Sequence, residues 1–112
     1  MISSKLIANA ESAATFLTLM GNEKRLLIMS YLVDGEMSVG AIAERVQLSQ
    51  SALSQHLAKL RGLDLVETRR DRQMIYYSCK SEAARELLRM LDGIFGDGDL
   101  SQMAHRLRRA GA

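Results

Sequence analysis

Residues 48–61 read Leu48-Ser49-Gln50-Ser51-Ala52-Leu53-Ser54-Gln55-His56-Leu57-Ala58-Lys59-Leu60-Arg61. Leu53, Leu57 and Leu60 recur at helical spacing, which predicts an amphipathic helix with those leucines turned inward. The opposite face carries Gln50, Ser51, Ser54, Gln55, Lys59 and Arg61. A solvated helix face is usually rich in Glu and Lys. This one is a row of short hydrogen-bonding side chains followed by cations. Gln and Ser offer donors and acceptors that match base edges, and Lys and Arg match phosphates. The segment reads as a recognition helix over 50–62 with Ser49 at its N-cap.

The flanking sequence supports that reading. Upstream, Ser38 caps a predicted helix over 39–46, whose Val39, Ile42, Ala43 and Val46 share one face. Gln47-Leu48 is a short connection, so the two helices form a helix-turn-helix unit. Before it, Gly21 breaks a first helix over 8–20 marked by Ala10, Ala13, Ala14, Leu17 and Met20, and residues 1–7 are expected to fray. Asn22 caps a helix over 23–33, with Glu23 where the helix dipole favours an acid. Leu26, Leu27, Met29 or Ser30, Tyr31 and Leu32 are expected to be its buried residues. Downstream, Gly62-Leu63-Asp64 ends the recognition helix. Strands are predicted over 65–69 and 73–78, joined by a turn at Arg70-Asp71-Arg72; Met74-Ile75-Tyr76-Tyr77 has the β-branched and aromatic character of a strand. Ser81 caps a last helix with Glu82 and Glu86 near its start and an apolar stripe of Ala84, Leu87, Leu88, Leu91, Ile94 and Phe95. Gly96-Asp97-Gly98-Asp99 ends it. The order gives a fold class: mainly α with a small β-hairpin, a winged helix-turn-helix. Residues 1–99 are expected to form one DNA-binding and dimerisation domain. Residues 100–112 form a basic tail that is either loose or a short helix with Leu100, Met103 and Leu107.

A chain of 112 residues suits one domain. With 47% hydrophobic residues it has enough for a core, and more than a domain this small hides easily. Some apolar surface is therefore expected to meet a partner. No run approaches the ~20 apolar residues of a membrane span, and the start lacks the pattern of a signal peptide, so a cytoplasmic location is expected. The single cysteine, Cys79, excludes an internal disulfide and a cysteine-rich zinc cluster. The net charge of +2 says little, but its distribution says more. Between Lys59 and Lys80 lie six basic residues (Lys59, Arg61, Arg69, Arg70, Arg72, Lys80) against three acids (Asp64, Glu67, Asp71), and Arg106, Arg108 and Arg109 form a second cluster. Localised charge of this kind steers a protein to phosphates.

In a major groove the N-terminal half of the recognition helix meets the bases. Gln50, Ser51, Ser54 and Gln55 occupy that half, and a Gln pairs bidentately with adenine N6 and N7. Lys59 and Arg61 suit the backbone. Ser38 and Ser49 stand at helix starts, where they either only cap or also meet phosphate. His56 has two readings, a phosphate contact or local packing. Arg69, Arg70 and Arg72 either reach DNA from the hairpin or only solubilise an exposed edge. The partner that these residues imply is double-stranded DNA. An enzyme finds no support: His56 and His105 have no evident nucleophile or acid partner, and there is no phosphate-binding glycine loop. The competing class is a winged-helix protein-interaction module, but such surfaces favour aromatic and Met anchors, which the outer face of this helix lacks.

The segment Leu48 to Leu57, Leu65-Val66 with the Arg-rich wing, Ile75-Tyr76-Tyr77 and the opening Asn22-Glu23-Lys24-Arg25-Leu26-Leu27-Ile28 resemble the ArsR/SmtB family of bacterial repressors over about residues 13–95. The resemblance implies a homodimer that occupies a promoter and blocks transcription, with the first and last helices as its interface. Phe16, Leu17 and Met20 with Leu87, Leu88, Leu91, Ile94 and Phe95 are the candidate interface residues. The chain departs from the family where Asp64 stands in place of the usual Gly before Leu-Val. Asp tolerates a left-handed backbone better than most residues. The family's metal sites find no counterpart. Met37 to Ile42 holds no thiolate, which disfavours a soft metal, the last helix has no histidine, and His105 with Asp97 and Asp99 is a thin constellation. Thiol-switch members need two cysteines, and Cys79 is alone. No metal or cofactor is expected, and the residues name no inducer.

Overall fold

The computed structural model describes residues 1–96 and 101–111, in two compact units, Met1–Ser81 and Glu82–Ala112. The first unit opens with a short helix α1 (Ser4–Ala8) where fraying was expected, because Ser3 Oγ accepts from Leu6 N at 3.2 Å and caps it. Asn9 separates α1 from α2 (Ala10–Met20). Asn22 Oδ1 accepts from Arg25 N at 3.0 Å and starts α3 (Glu23–Leu32).

The buried stripe of α3 is Arg25, Ile28, Met29 and Leu32, whereas Leu26, Leu27 and Tyr31 are only half-buried. Positions 25, 28, 29 and 32 follow the helical period. The expected assignment slipped because the stripe begins with an arginine, which an apolar pattern passes over.

The short strand β1 (Met37–Ser38) was not anticipated; two residues carry no readable alternation. It makes the expected hairpin a three-stranded antiparallel sheet in the order β1-β3-β2. Helix α4 (Val39–Val46) ends at Gln47, whose φ of 59° is left-handed, and this sharp exit turns the chain into α5 (Gln50–Gly62). Leu53, Leu57 and Leu60 of α5 are buried, as their spacing required. They join Met20, Ile28, Met29, Leu32, Ile42, Val46, Leu65 and Val66 in one core.

Asp64 takes φ 60°, a left-handed conformation that Asp tolerates better than most residues, and Leu65 N donates to Leu60 O at 3.0 Å. Strands β2 (Val66–Asp71) and β3 (Met74–Cys79) pair from Val66↔Cys79 to Asp71↔Met74. The hairpin loop is therefore Arg72-Gln73, with Arg72 at φ 59°, and Arg70 and Asp71 belong to the strand. The predicted turn lay too early because two arginines and an aspartate in a row look like a loop. At an exposed wing they are strand residues with solvated side chains.

The second unit comprises α6 (Glu82–Phe95) and α7 (Ser101–Gly111). The tail thus contains a helix, the second of the two expected alternatives. Three residues of the expected Gly96-Asp97-Gly98-Asp99 break, and Leu100, lie outside the described residues. No helix among the described residues is long and apolar enough to cross a membrane.

Candidate nucleic-acid interface

Packing fixes which face of α5 is free. With Leu53, Leu57 and Leu60 inward, the helical period of ~100° per residue puts Ser51, Gln55 and Ala58 nearest the middle of the outer face. Gln50, Ser54 and Arg61 flank them on one side, Lys59 on the other. All seven are exposed. Ser51 and Ala58 are small, so the helix axis can approach a groove floor closely while Gln55 projects from the centre and Lys59 and Arg61 reach out on the two flanks. Gln50, Ser51, Ser54, Gln55, Lys59 and Arg61 have no side-chain hydrogen bond or ion pair among the described residues. Their donors and acceptors are solvated and available.

Both predicted serine caps are in place. Ser49 Oγ accepts from Ala52 N at 3.1 Å, and Ser38 Oγ accepts from Ala41 N at 3.2 Å. Each oxygen is engaged as an acceptor, which leaves its hydroxyl hydrogen to donate to a phosphate. Capping and phosphate contact are therefore compatible. Ser38, Val39, Gly40 and Gln50 face Gln73, Met74 and Ile75 across a groove of about 320 Å³. The starts of α4 and α5 and the wing thus open onto one space. Gln73, unassigned from sequence, is brought to this site by the two-residue loop; only the correct register of the hairpin could have revealed it.

The three wing arginines separate. Arg69 is engaged: its Nε and Nη2 donate to Glu36 Oε2 and Oε1 at 3.0 and 2.6 Å, and its guanidinium lies 4.6 Å from the centre of the Tyr76 ring. The paired guanidinium holds the Glu36 carboxyl below its ordinary pKa, and the carboxylate raises that of Arg69. Arg70 and Arg72 sit at the tip, exposed, with Arg70 Nε donating to Arg72 O at 3.1 Å.

His56 is half-buried on the flank of α5, where its Nδ1 lies 3.3 Å from Arg25 Nη1. An arginine only donates, so Nδ1 is the acceptor and the ring is neutral. Burial first, then the charges of Arg25, Lys59 and Lys24, lower the His56 pKa. Of its two sequence readings, the geometry displays the local hydrogen bond. Arg25, missed by the sequence reading as a buried residue, also donates from Nε to Leu19 O at 2.6 Å. Lys24 Nζ donates to Val46 O at 2.8 Å, at the end of α4.

The remaining candidates are distributed as follows. On α2, Leu17 is 56% exposed and Phe16 half-buried, but Met20 is 1% exposed and belongs to the core, so it has no surface to offer a partner. On α6, only Ala84 is buried. Leu87, Leu88, Leu91 and Ile94 are half-exposed, and Phe95 and the unpredicted Met90 are exposed. Cys79 is buried, with its Sγ 3.5 Å from Ser81 O. His105 is exposed, and Asp97 and Asp99 lie outside the described residues. Among the described residues no three His, Cys, Asp or Glu side chains gather around a common point.

Residues 22–68 match the family model described as "Bacterial regulatory protein, arsR family". The chain is 60% identical over 89 residues to Nodulation protein NolR of Rhizobium meliloti, covering 80% of this chain and 73% of that protein. The crystal structure of NolR from Sinorhizobium fredii superposes with a TM-score of 0.76 at 54% identity, over 86% of this chain and 96% of that one. A solution structure of the homodimeric winged helix-turn-helix DNA-binding domain of Mb0332 from Mycobacterium bovis, a possible ArsR-family transcriptional regulator, superposes with a TM-score of 0.70 at 26% identity, over 88% and 92% of the two chains.

Proposed function

The chain belongs to the ArsR family of bacterial regulatory proteins, and from that premise we propose that this DNA-binding transcriptional regulator is a repressor, seated as a homodimer on a two-fold symmetric operator and acting by occupancy rather than by catalysis. The observation that carries the reading is the outer face of α5. Four short polar side chains, Gln50, Ser51, Ser54 and Gln55, stand exposed and uncommitted in its N-terminal half, where a recognition helix meets base edges. Lys59 and Arg61 follow for the backbone, and the hydroxyls of Ser38 and Ser49 add neutral phosphate donors. Arg70 and Arg72 reach the backbone or minor groove beside the recognition helix. Arg69 contributes less, because Glu36 already neutralises it. His56 acts through Arg25 rather than at a phosphate.

The exposed apolar residues of α2 and α6 are the proposed dimer surfaces, with Met20 removed from the set and Met90 added. The likeness to the homodimeric Mb0332 domain supports this assignment. A two-fold dimer places two α5 helices against half-sites about one helical turn apart, ~34 Å.

The test is selection of genomic fragments by the purified protein, followed by footprinting. A symmetric site with half-sites one turn apart supports the proposal and identifies the regulated promoter. Uniform, weak, salt-sensitive binding to every fragment overturns it and favours a winged helix used to bind protein.

A further inference from the structure

The first unit contains a second groove, of about 430 Å³, lined by Glu11, Ala14, Thr15, Thr18 and Leu19 of α2, Arg25 of α3, Lys59 of α5, and Leu63. It lies on the Lys59 flank of α5, away from the groove shared by Gln50 and the wing. Its notable member is Arg25, only 8% exposed and the one charged side chain buried among the described residues. Buried charges are ordinarily paired with an opposite charge, because desolvating an ion is expensive. Arg25 has no carboxylate partner among the described residues: it donates to a carbonyl, Leu19 O, and to a neutral ring, His56 Nδ1.

Those two bonds use Nε and one N–H of Nη1. The second N–H of Nη1 and both of Nη2 are left. Among the described residues no fully buried side-chain nitrogen or oxygen lacks a partner, so Nη2 still reaches solvent. Nη2, with both of its N–H groups uncommitted, is a charged donor that a carboxylate oxygen accepts from.

We propose that this groove is a binding site for a small organic monocarboxylate, its carboxylate on Nη2 of Arg25 and on Lys59, its apolar body on Ala14, Leu19 and Leu63. The charge argues for a monoanion: two cations, Arg25 and Lys59, line the groove together with one anion, Glu11. A phosphate dianion or a polyanion meets Glu11 with more repulsion and gains nothing from the apolar floor. Thr18 supplies a hydroxyl for a polar substituent, and Thr15, whose hydroxyl donates to Glu11 O at 3.0 Å, supplies only an acceptor. The site joins three elements with different tasks: α2, a proposed dimer helix, α3, and α5, which reads DNA. A ligand that engages Lys59 withdraws a cation placed for a phosphate, so the filled site weakens DNA binding. That consequence rests on the DNA-binding reading; the site itself does not.

The experiment is an amide-resolved NMR titration of the full chain with benzoate and, separately, with neutral benzamide, each to about 10 mM. The expected result is saturable shifts at residues 14–19, 25, 59 and 63 with a Kd of roughly 1 mM for benzoate, and at least tenfold weaker binding of benzamide. Thr15→Phe fills the groove and leaves both Arg25 and Lys59 unsubstituted. It is expected to abolish the benzoate shifts while the spectrum stays folded. Arg25→Met gives the same loss if it folds, but the conclusion does not depend on it. Absent or non-saturating benzoate shifts, an equal response to benzamide, or saturation that survives Thr15→Phe overturns the site. Operator affinity with and without benzoate is measured separately. A protein that binds benzoate but holds operator equally well overturns the regulatory consequence alone, and a protein that binds no operator in either condition indicts the DNA reading instead.

Discussion

The two faces of α5 are predicted to fail in different ways when each loses one side chain. Leu53 is fully buried and Gln55 is exposed on the far side of the same helix. Truncating Leu53 to Ala removes the transfer free energy of the lost atoms and leaves a cavity, about 3 kcal/mol within the ~2.7–5 range for such sites. Against the ~5–15 kcal/mol of a whole domain this is a large loss. Gln55 has no hydrogen-bond partner among the described residues, and Ala is a better helix former, so Gln55→Ala leaves folding stability within ~0.5 kcal/mol. On DNA the ranking inverts. A bidentate Gln–adenine pair discriminates by ~1–3 kcal/mol, which is roughly a five- to 150-fold loss per half-site and up to the square of that on the two-half-site operator, with little change on a scrambled duplex. The assays are urea denaturation and fluorescence anisotropy with both duplexes at one fixed salt concentration. Leu53→Ala should lower the urea midpoint and, under conditions where it stays folded, keep its preference for operator. Equal loss by Gln55→Ala on operator and scrambled DNA would refute the base-reading role, and a Leu53→Ala protein as stable as the parent would refute the packing.

Four further outcomes are expected. Replacing Arg70 and Arg72 with Ala removes four cations from a dimer, and the slope of log K against log salt should fall by up to ~3.6, at ~0.9 per phosphate contact; Arg69→Ala should move it far less, and an equal effect would put the Arg69–Glu36 pair in the interface. Leu91→Glu should yield a monomer by sedimentation with collapsed operator affinity, whereas a tight dimer would misplace the interface. At Asp64, held at φ 60°, Ala should destabilise by ~1–2 kcal/mol and Gly should be neutral or stabilising, since the exposed pair with Lys80 contributes little; urea melts decide. His56 should titrate below the ordinary histidine range by NMR, because burial and then Arg25, Lys59 and Lys24 disfavour its cation. With the folded pKa lowered, the unfolded chain binds the proton more readily, so this contribution is intact above ~6.5 and is lost as the pH falls through the folded value; a normal or raised pKa would contradict the geometry.

What could be read from the sequence was what repeats. The leucines of α5 and the Val39, Ile42, Ala43, Val46 set are periodic over two turns, and Ser38, Ser49 and Asn22 stand at helix starts with the chemistry of caps. Those elements and the outer face of α5 follow from local pattern. What escaped has no local pattern. Strand β1 exists only because β3 lies beside it, and its two residues carry no signature of their own. The wing register placed Arg70 and Asp71 in a strand and brought Gln73 to the groove at Gln50, and charge alone cannot tell a solvated strand from a turn. Met20 reads as one more apolar residue on a helix stripe, and only the tertiary packing separates it, sealed in the core, from exposed Leu17.

Arg25 joins these two kinds of information. It stands in the family-like opening of α3 and fills the first place of a buried stripe, where hydropathy predicts solvent. Its Nε ties the last turn of α2, through Leu19 O, and its Nη1 ties His56 of α5. One side chain therefore links the helix proposed to hold the two protomers together with the helix proposed to read DNA. Two half-sites one turn apart tolerate little change in the separation or tilt of the two α5 helices. A protein that reads DNA as a two-fold dimer thus has reason to keep a costly buried charge where an apolar residue would pack more cheaply: the guanidinium has directional bonds, and direction is what the spacing of two recognition helices requires.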